Sequence, residues 1–150
     1  ALQDAANAAF GLREWDLAFG YLVRARRLHP YLETIYNNIG VVHAVSGRMD
    51  EAEKSYRYAL YLNPTVAQTW NNLGSVYLET GKDLQTAEDC FRKSLELDPS
   101  FLMAHFNLGV VLAERGQKDA ATWEFEYCLR EEPKFQQAKQ WLEKLRGDRR

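Results

Sequence analysis

The thiols and imidazoles, which act as nucleophiles, general bases near neutral pH and metal ligands, are few. Cys90 and Cys128 are the only cysteines of the 150 residues, and His29, His43 and His105 the only histidines. A structural zinc site takes four such ligands at short spacings, as in Cys-x2-Cys or His-x3-His pairs; neither spacing occurs. Two cysteines make no disulfide framework, and free thiols fit a reducing compartment, so a cytoplasmic location is expected. There is no glycine-rich phosphate loop, no Gly-x-Ser-x-Gly elbow and no His-Glu-x-x-His helix. The chain therefore reads as a non-enzyme with no catalytic residue, no metal and no cofactor. Lys plus Arg number 19 against 21 Asp plus Glu, a net charge of −2. That balance lacks the positive field of a nonspecific nucleic-acid or anionic-membrane binder. No apolar run reaches the roughly 18 residues of a membrane span. With 46% apolar and 27% charged residues the composition is globular, which excludes intrinsic disorder.

The polar residues whose spacing does repeat are amides. Asn38, Asn72 and Asn107 recur at intervals of 34 and 35, each directly before an Ile-Gly or Leu-Gly pair. Asn37 and Asn71 add a second row, which becomes Phe106 in the next copy. In the first copy Asp4 stands in the row, with Asn7 one turn along. An Asn amide offers one carbonyl acceptor and two N–H donors. It can pair with the C=O and N–H of an extended chain whatever that chain's side chains are. Such a row needs elements that recur at the same interval.

Those elements are visible in the prolines and glycines. Pro30, Pro64, Pro99 and Pro133 stand 34, 35 and 34 residues apart. Gly40, Gly74 and Gly109 keep that period, and Gly47, Gly81 and Gly116 lie seven residues beyond each. One supersecondary unit per period is the physical meaning of such spacing. Within residues 67–99, Trp70, Leu73, Gly74 and Tyr77 fall at i, i+3, i+4 and i+7, one face of a helix. Gly81 can end it in the left-handed conformation. Ala87, Phe91, Ser94 and Leu95 form a second helical face, and Pro99 forbids continuation. Gly74 and Ala87 are small where the two helices meet, so the backbones are expected to approach closely. Two amphipathic helices per period predict an all-α chain of about 80% helix.

The chain resembles the tetratricopeptide repeat family, whose signature is Trp-x2-Leu-Gly-x2-Tyr, then Ala-x3-Phe, then Pro, at a period of about 34. Residues 70–99 carry it whole: Trp70, Leu73, Gly74, Tyr77, Ala87, Phe91, Pro99. Residues 36–64 give Tyr36, Ile39, Gly40, His43, Ala52, Tyr56, Pro64, and residues 105–133 give His105, Leu108, Gly109, Leu112, Ala121, Phe125, Pro133. The first copy is degenerate, with Leu2, Ala5, Ala6, Ala9, Ala18, Leu22 and Pro30, and Arg13 in place of the turn glycine. The resemblance implies a right-handed superhelical α-solenoid of helix-turn-helix repeats. A single domain over 1–146 would hold repeats at 1–32, 33–66, 67–101 and 102–135 and a capping helix at 136–146, followed by a tail at 147–150.

It also implies that the first helix of each repeat lines a concave groove, and that the chain is an interaction scaffold or adaptor binding an extended peptide there. The asparagine rows are similar to those of the O-linked N-acetylglucosamine transferase repeat region. That similarity implies Asn38, Asn72, Asn107, Asn7, Asn37, Asn71, Ser75 and Phe106 as peptide-binding residues. Alanine at Asn38, Asn72 and Asn107 is expected to spare the fold. Ser75, Leu78, Phe106 and Val110 would give the groove a neutral, half-apolar surface, with Glu79 and Glu114 at one margin. The family's carboxylate clamp needs cations where this chain has Gln3, Gln68 and Asn72, so chaperone C-terminal tails are disfavoured. The alternative reading is a substrate-recruiting arm of a larger enzyme such as a glycosyltransferase. A third is self-association through the N-terminal edge, where Ala5, Ala6, Ala8 and Ala9 are small and apolar.

The remaining candidates have plainer readings. His43 and His105 occupy framework places and read as core. Cys128 stands where other copies have Ala25, Ala59 and Ser94, and reads as a small buried hydrophobe. Trp123 and Tyr127 are expected to pack on the capping helix. Arg24, Arg26 and Arg27 read as a solvated helix end. Asp16, Asp50 and Asp119 are expected to N-cap the second helices, Asp50 with Glu53 as a capping box. Asp83 is displaced by one extra residue, which predicts a longer turn at that helix start. The Arg-Gly-Asp string at 146–148 reads as part of a frayed terminus.

Overall fold

The computed structural model describes residues 2–147. Those residues form nine α-helices and no strand: α1 Leu2–Gly11, α2 Trp15–Leu28, α3 Glu33–Val45, α4 Met49–Leu62, α5 Ala67–Thr80, α6 Leu84–Leu97, α7 Leu102–Glu114, α8 Lys118–Glu131 and α9 Gln136–Gly147. Each helix packs on the next, and α3, α5, α7 and α9 also touch in turn. The first helices thus make one continuous row, with α2, α4, α6 and α8 outside it, which is an α-solenoid. Helix α9 runs through Gly147, one residue past the expected boundary. It holds a first helix's register, since Leu142 is buried where Leu73 and Leu108 are. Residues 148–150, where the expected tail and the end of the Arg-Gly-Asp string fall, lie outside the described residues.

Within a pair, glycine seats a ring. A Cβ on Gly40 would meet Tyr56 Cε1 at 2.5 Å, one on Gly74 would meet Phe91 Cε1 at 2.7 Å, and one on Gly109 would meet Phe125 Cε1 at 2.8 Å. Carbon atoms in good contact sit about 3.5–4.0 Å apart, so no side chain fits. The partner accommodated is an aromatic face, not the neighbouring backbone. The first pair solves the same problem in reverse: Ala6 takes the glycine's place and Leu22 the ring's, both fully buried.

The turns show why copy one departs from the pattern at a cost. Gly47, Gly81 and Gly116 have φ of 74°, 63° and 76°, and Arg13, at the same place, has φ 59°. A side chain there costs on the order of 1–2 kcal/mol. Asp16, Asp50 and Asp119 do not cap: each is the second residue of its helix, after Glu14, Arg48 and Gln117 at the cap positions. They favour the helix through its dipole instead. The residue that caps is Asp83, whose side chain accepts from Thr86 N at 3.0 Å and Thr86 Oγ1 at 2.6 Å. The extra residue puts two positions, Lys82 and Asp83, between Gly81 and α6, where Arg48 and Gln117 stand alone in the neighbouring turns. That is what brings Asp83 to the cap.

Between pairs, each connecting loop is latched by the fourth residue of the next first helix. Tyr36 Oη donates to Pro30 O at 2.8 Å, Trp70 Nε1 to Pro64 O at 2.8 Å, and His105 Nε2 lies 2.9 Å from Pro99 O. Second helices reach the following first helix through polar joints. Tyr77 Oη donates to Glu53 Oε1 at 2.5 Å, Arg57 closes that triangle, and Arg115 pairs with Glu88. At the first joint Phe19 meets His43 edge-on at 5.4 Å, with Arg48 over its ring. The apolar core falls into two clusters. One spans Ala6 to Val42 on α1, α2 and α3; the other spans Ala52 to Leu145 on α4 to α9.

Candidate functional site

The asparagine rows lie on α3, α5 and α7, and the structure brings them together two by two. Asn72 Nδ2 donates to Asn37 Oδ1 at 3.1 Å, and Asn107 Nδ2 donates to Asn71 Oδ1 at 3.0 Å. Each rung therefore joins the first row of one helix to the second row of the helix before it. Around the lower rung, Thr69 Oγ1 donates to Asn37 Oδ1 and Gln68 Nε2 to Asn72 Oδ1. Around the upper rung, Ser75 Oγ accepts from Asn107 Nδ2 at 3.4 Å while donating to Asn71 O. Asn71 is buried, at 6% exposure, and the other four asparagines are half-buried. Spacing alone could not show this pairing, because two adjacent polar positions on one helix look equally free in a sequence.

The pairing leaves specific valences open. Among the described residues Asn38 Nδ2 and Asn107 Oδ1 make no hydrogen bond, whereas both ends of the Asn72 amide are engaged. Asn7 is exposed on α1 and joins neither rung. In the register of the next rung stand Phe106 on α7 and Trp141 on α9, so the polar series ends in an apolar one. Phe106 also packs on Phe125 at 5.7 Å and Phe135 at 5.0 Å. Phe106 and Trp141, with Gln137, Gln140 and Lys144, line a cleft of ≈ 420 Å³, and Lys144 Nζ sits 4.5 Å over the Trp141 ring. Val110, expected on the groove surface, is buried at 8% exposure and belongs to the core.

The titratable groups are framework parts. Burial pushes the Cys90 thiol up to about 11 and the Cys128 thiol up to about 12, so neither is a thiolate nucleophile at neutral pH. Cys128 is fully buried and its thiol faces Leu102 O. His105 stands where Trp70 does one copy earlier. Its Nδ1 is 2.7 Å from Glu124 Oε2, and both side chains are buried. Burial alone would lower its pKa, but the Glu124 carboxyl and the Pro99 carbonyl outweigh burial and raise it above the ordinary value. His43 goes the other way, lowered by burial and then by Arg48, with Nδ1 buried and unbonded among the described residues. Trp123 and Tyr127 do not pack on α9. Tyr127 stacks on His105 at 3.8 Å, Trp123 lies 5.9 Å from Tyr127 and is 55% exposed, and it is Phe125 that stacks on Trp141. The buried His105–Glu124 pair pulls the outer aromatics toward α7. Among the described residues no three His, Cys, Asp or Glu converge to hold a metal ion, and no helix is long and apolar enough to cross a membrane.

Comparison with known proteins agrees with the fold. Residues 45–144 match the family model described as the cilia and flagella-associated protein 70 middle TPR-like domain, and residues 4–67 match a tetratricopeptide repeat model. A stretch of 73 residues is 33% identical to anaphase-promoting complex subunit 3 of Schizosaccharomyces pombe (strain 972), covering 49% of this chain and 11% of that protein. The chain thus spans about a ninth of the curated relative it matches. The solved structure of the APC/C hetero-tetramer Cut9–Hcn1 superposes with a TM-score of 0.89 at 24% identity, over 96% of this chain and 29% of that one. The first TPR of Spaghetti (RPAP3), bound to the HSP90 peptide SRMEEVD, superposes with a TM-score of 0.75 at 21% identity, over 78% of this chain and 92% of that one. At these identities the two structures speak for the fold.

Proposed function

Because the chain belongs to the tetratricopeptide-repeat family, within the group described by the middle TPR-like domain of cilia and flagella-associated protein 70, we propose that it is a non-catalytic scaffold that holds an extended peptide along its row of first helices. The observation that carries the reading is the pair of asparagine rungs on consecutive first helices. A rung spends one amide on fixing its neighbour, and a fixed amide loses little freedom when a ligand arrives. Asn38 would donate to a peptide carbonyl and Asn107 would accept from a peptide N–H, with Asn72 acting as the strut between them. Neighbouring first helices lie about 8–10 Å apart and an extended chain advances about 3.3 Å per residue, so consecutive contacts fall about three ligand residues apart. Phe106 and the cleft beside it would receive an apolar side chain at one end, and Asn7 would extend the polar track at the other. The RPAP3 repeat holds an acidic peptide. The places that family clamp fills with cations here read Gln3, Gln68 and Asn72, so this groove suits a neutral segment. Two buried free thiols support a reducing, cytoplasmic setting.

A second reading keeps the groove and makes the chain one recruiting segment of a larger assembly or enzyme, supported by its match to a short part of an anaphase-promoting complex subunit. The test of both is affinity capture of a partner, reduction to a minimal peptide, and calorimetry. Asn38→Ala with Asn107→Ala should weaken that peptide by about 1–3 kcal/mol, two neutral hydrogen bonds. N-methylation of the peptide backbone at every third residue should weaken it more than permuting its side chains. Unchanged binding by the double variant, with loss of binding by Trp123→Ala, would move the site to the outer helices.

A further inference from the structure

Three cations line one cleft of the outer helices without a close ion pair. Arg26 and Arg27 end α2, Lys54 lies in the middle of α4, and with Pro30, Tyr36 and Tyr58 they border a cleft of ≈ 460 Å³. None of the three joins an ion pair among the described residues, whereas Arg57, Lys82, Arg92, Lys93 and Arg115 each sit on a carboxylate. The chain is not short of acid, with a net charge of −2. Arg26 and Arg27 can be assigned to the negative end of the α2 dipole. Lys54 cannot, since no helix ends beside its backbone, and Asp50, one turn before it, is bonded to Lys82 and so offsets Lys54 only from a distance. Gathering a third like charge at one cleft opposes folding by mutual repulsion, and a bound anion relieves it.

The other walls are aromatic. Tyr36 and Tyr58 meet edge to face at 4.5 Å, and the Tyr36 hydroxyl is engaged on Pro30 O, so the cleft is offered ring surface. Tyr58 continues to Tyr61, 6.0 Å away and 80% exposed, and Tyr31 is 78% exposed. Tyr and Arg are among the residue types enriched at protein interaction hot spots. We propose that this cleft is a second binding site, which takes an acidic peptide segment. Its carboxylates would lie on Arg26, Arg27 and Lys54, and an apolar side chain would lie against the Tyr36 and Tyr58 rings. Three cations confined to one cleft of an acidic chain do not make the extended basic track that a nucleic-acid backbone follows. The site is built by α2, α4 and the first turn of α3, which brings Tyr36, and uses none of the asparagines of α3, α5 and α7. A neutral segment in the row and an acidic one in the cleft can be held together, which makes the chain a bridge between two ligands.

The probe is a fluorescein-labelled peptide of about twelve residues repeating Glu-Glu-Leu, followed by anisotropy on the whole chain. Its controls repeat Lys-Lys-Leu and Glu-Glu-Ser, and a labelled oligouridylate of equal length tests the nucleic-acid outcome. The acidic-apolar peptide should bind best, weaken as salt rises from about 50 to about 300 mM, and lose affinity at least roughly tenfold in Arg26→Ala/Lys54→Ala. Both residues are exposed, and a far-UV spectrum identical to the parent's shows that the variant folds. Asn38→Ala/Asn107→Ala should bind the probe as the parent does, which separates this site from the asparagine row. Tighter binding of oligouridylate, equal binding of Glu-Glu-Ser, equal binding by the charge variant, or no binding at about 1 mM protein would each overturn the proposal.

Discussion

Gly74→Ala adds one methyl group to a buried helix face, and the structure sets what that must cost. The new Cβ would lie 2.7 Å from Phe91 Cε1, about 1 Å inside a normal carbon contact. Phe91 is fully buried in the larger core cluster, so the ring cannot swing into solvent. Overpacking of this kind costs about 1–3 kcal/mol. Alanine's better helix propensity returns about 1 kcal/mol, leaving a net loss of about 0–2 kcal/mol. Phe91→Leu alone removes ring atoms from a dense site and should cost about 1–3 kcal/mol. The double variant reproduces the Ala6–Leu22 pairing that the first repeat already uses. With the ring gone the methyl group has room, so the double variant should be more stable than the sum of the singles by about 1–2 kcal/mol. Urea unfolding followed by circular dichroism measures all four corners of the cycle. Additivity within about 0.5 kcal/mol would refute the reasoning, because it would mean the glycine is not there for the ring.

Other expectations follow from features already described. Arg13→Gly should raise stability by about 0.5–1 kcal/mol, because a left-handed residue with a side chain is replaced by one without, and thermal unfolding reads it. Asn107→Ala should cost about 1–3 kcal/mol in the absence of any ligand, since it strips the donor from buried Asn71; a neutral result would show the upper rung to be unformed. His105 has a raised pKa in the fold, so its contribution is complete below the ordinary value of 6.5 and is lost as pH rises through the folded value. His43 has a lowered pKa, so its contribution is complete above 6.5 and is lost as pH falls through that value. Melting temperatures across neutrality should therefore lose their alkaline fall in His105→Trp, which restores the residue found at position 70, and lose their acid fall in His43→Tyr.

The helices were legible because each is over-determined. Period, glycine, proline and apolar face agree at the same offsets in three copies, and Gly81 and Pro99 punctuate as local sterics require. Cap identity was not legible, since one inserted residue decides which Asp precedes a helix and which becomes its second residue; Asp83 caps α6 while Asp50 sits just inside α4. The candidate site was legible as a row of amides, not as a set of bonds. Whether Asn72 faces solvent or Asn37 depends on the rotation of α5 against α3, which no single-helix pattern encodes. Trp123 and Tyr127 were misplaced for a similar reason: their neighbour is set by the His105–Glu124 pair, formed 19 residues apart in sequence. The lack of a close ion pair at Lys54 was invisible, because Asp50, the acid one turn before it, is taken by Lys82, 32 residues away in sequence.

The division of the core has a bearing on how the molecule comes apart. The two apolar clusters meet inside one helix pair: α3 carries buried residues of the first and α4 of the second, and the Tyr56 ring on Gly40 joins them together with Val41 and Ala44 of α3, which pack on the larger cluster. A chain of nearest-neighbour units propagates order only as well as its weakest interface. The first cluster is built largely of alanines, carries the left-handed arginine and ends at that joint. The N-terminal end is therefore expected to open first, from α1 and α2 toward the closely packed α3–α4 pair. In amide exchange the backbone of α1 and α2 should report a smaller opening free energy than that of α5 to α8. The cleft of Arg26, Arg27 and Lys54 straddles that seam, so anything bound across it also staples the two clusters and shifts when the N-terminal end lets go.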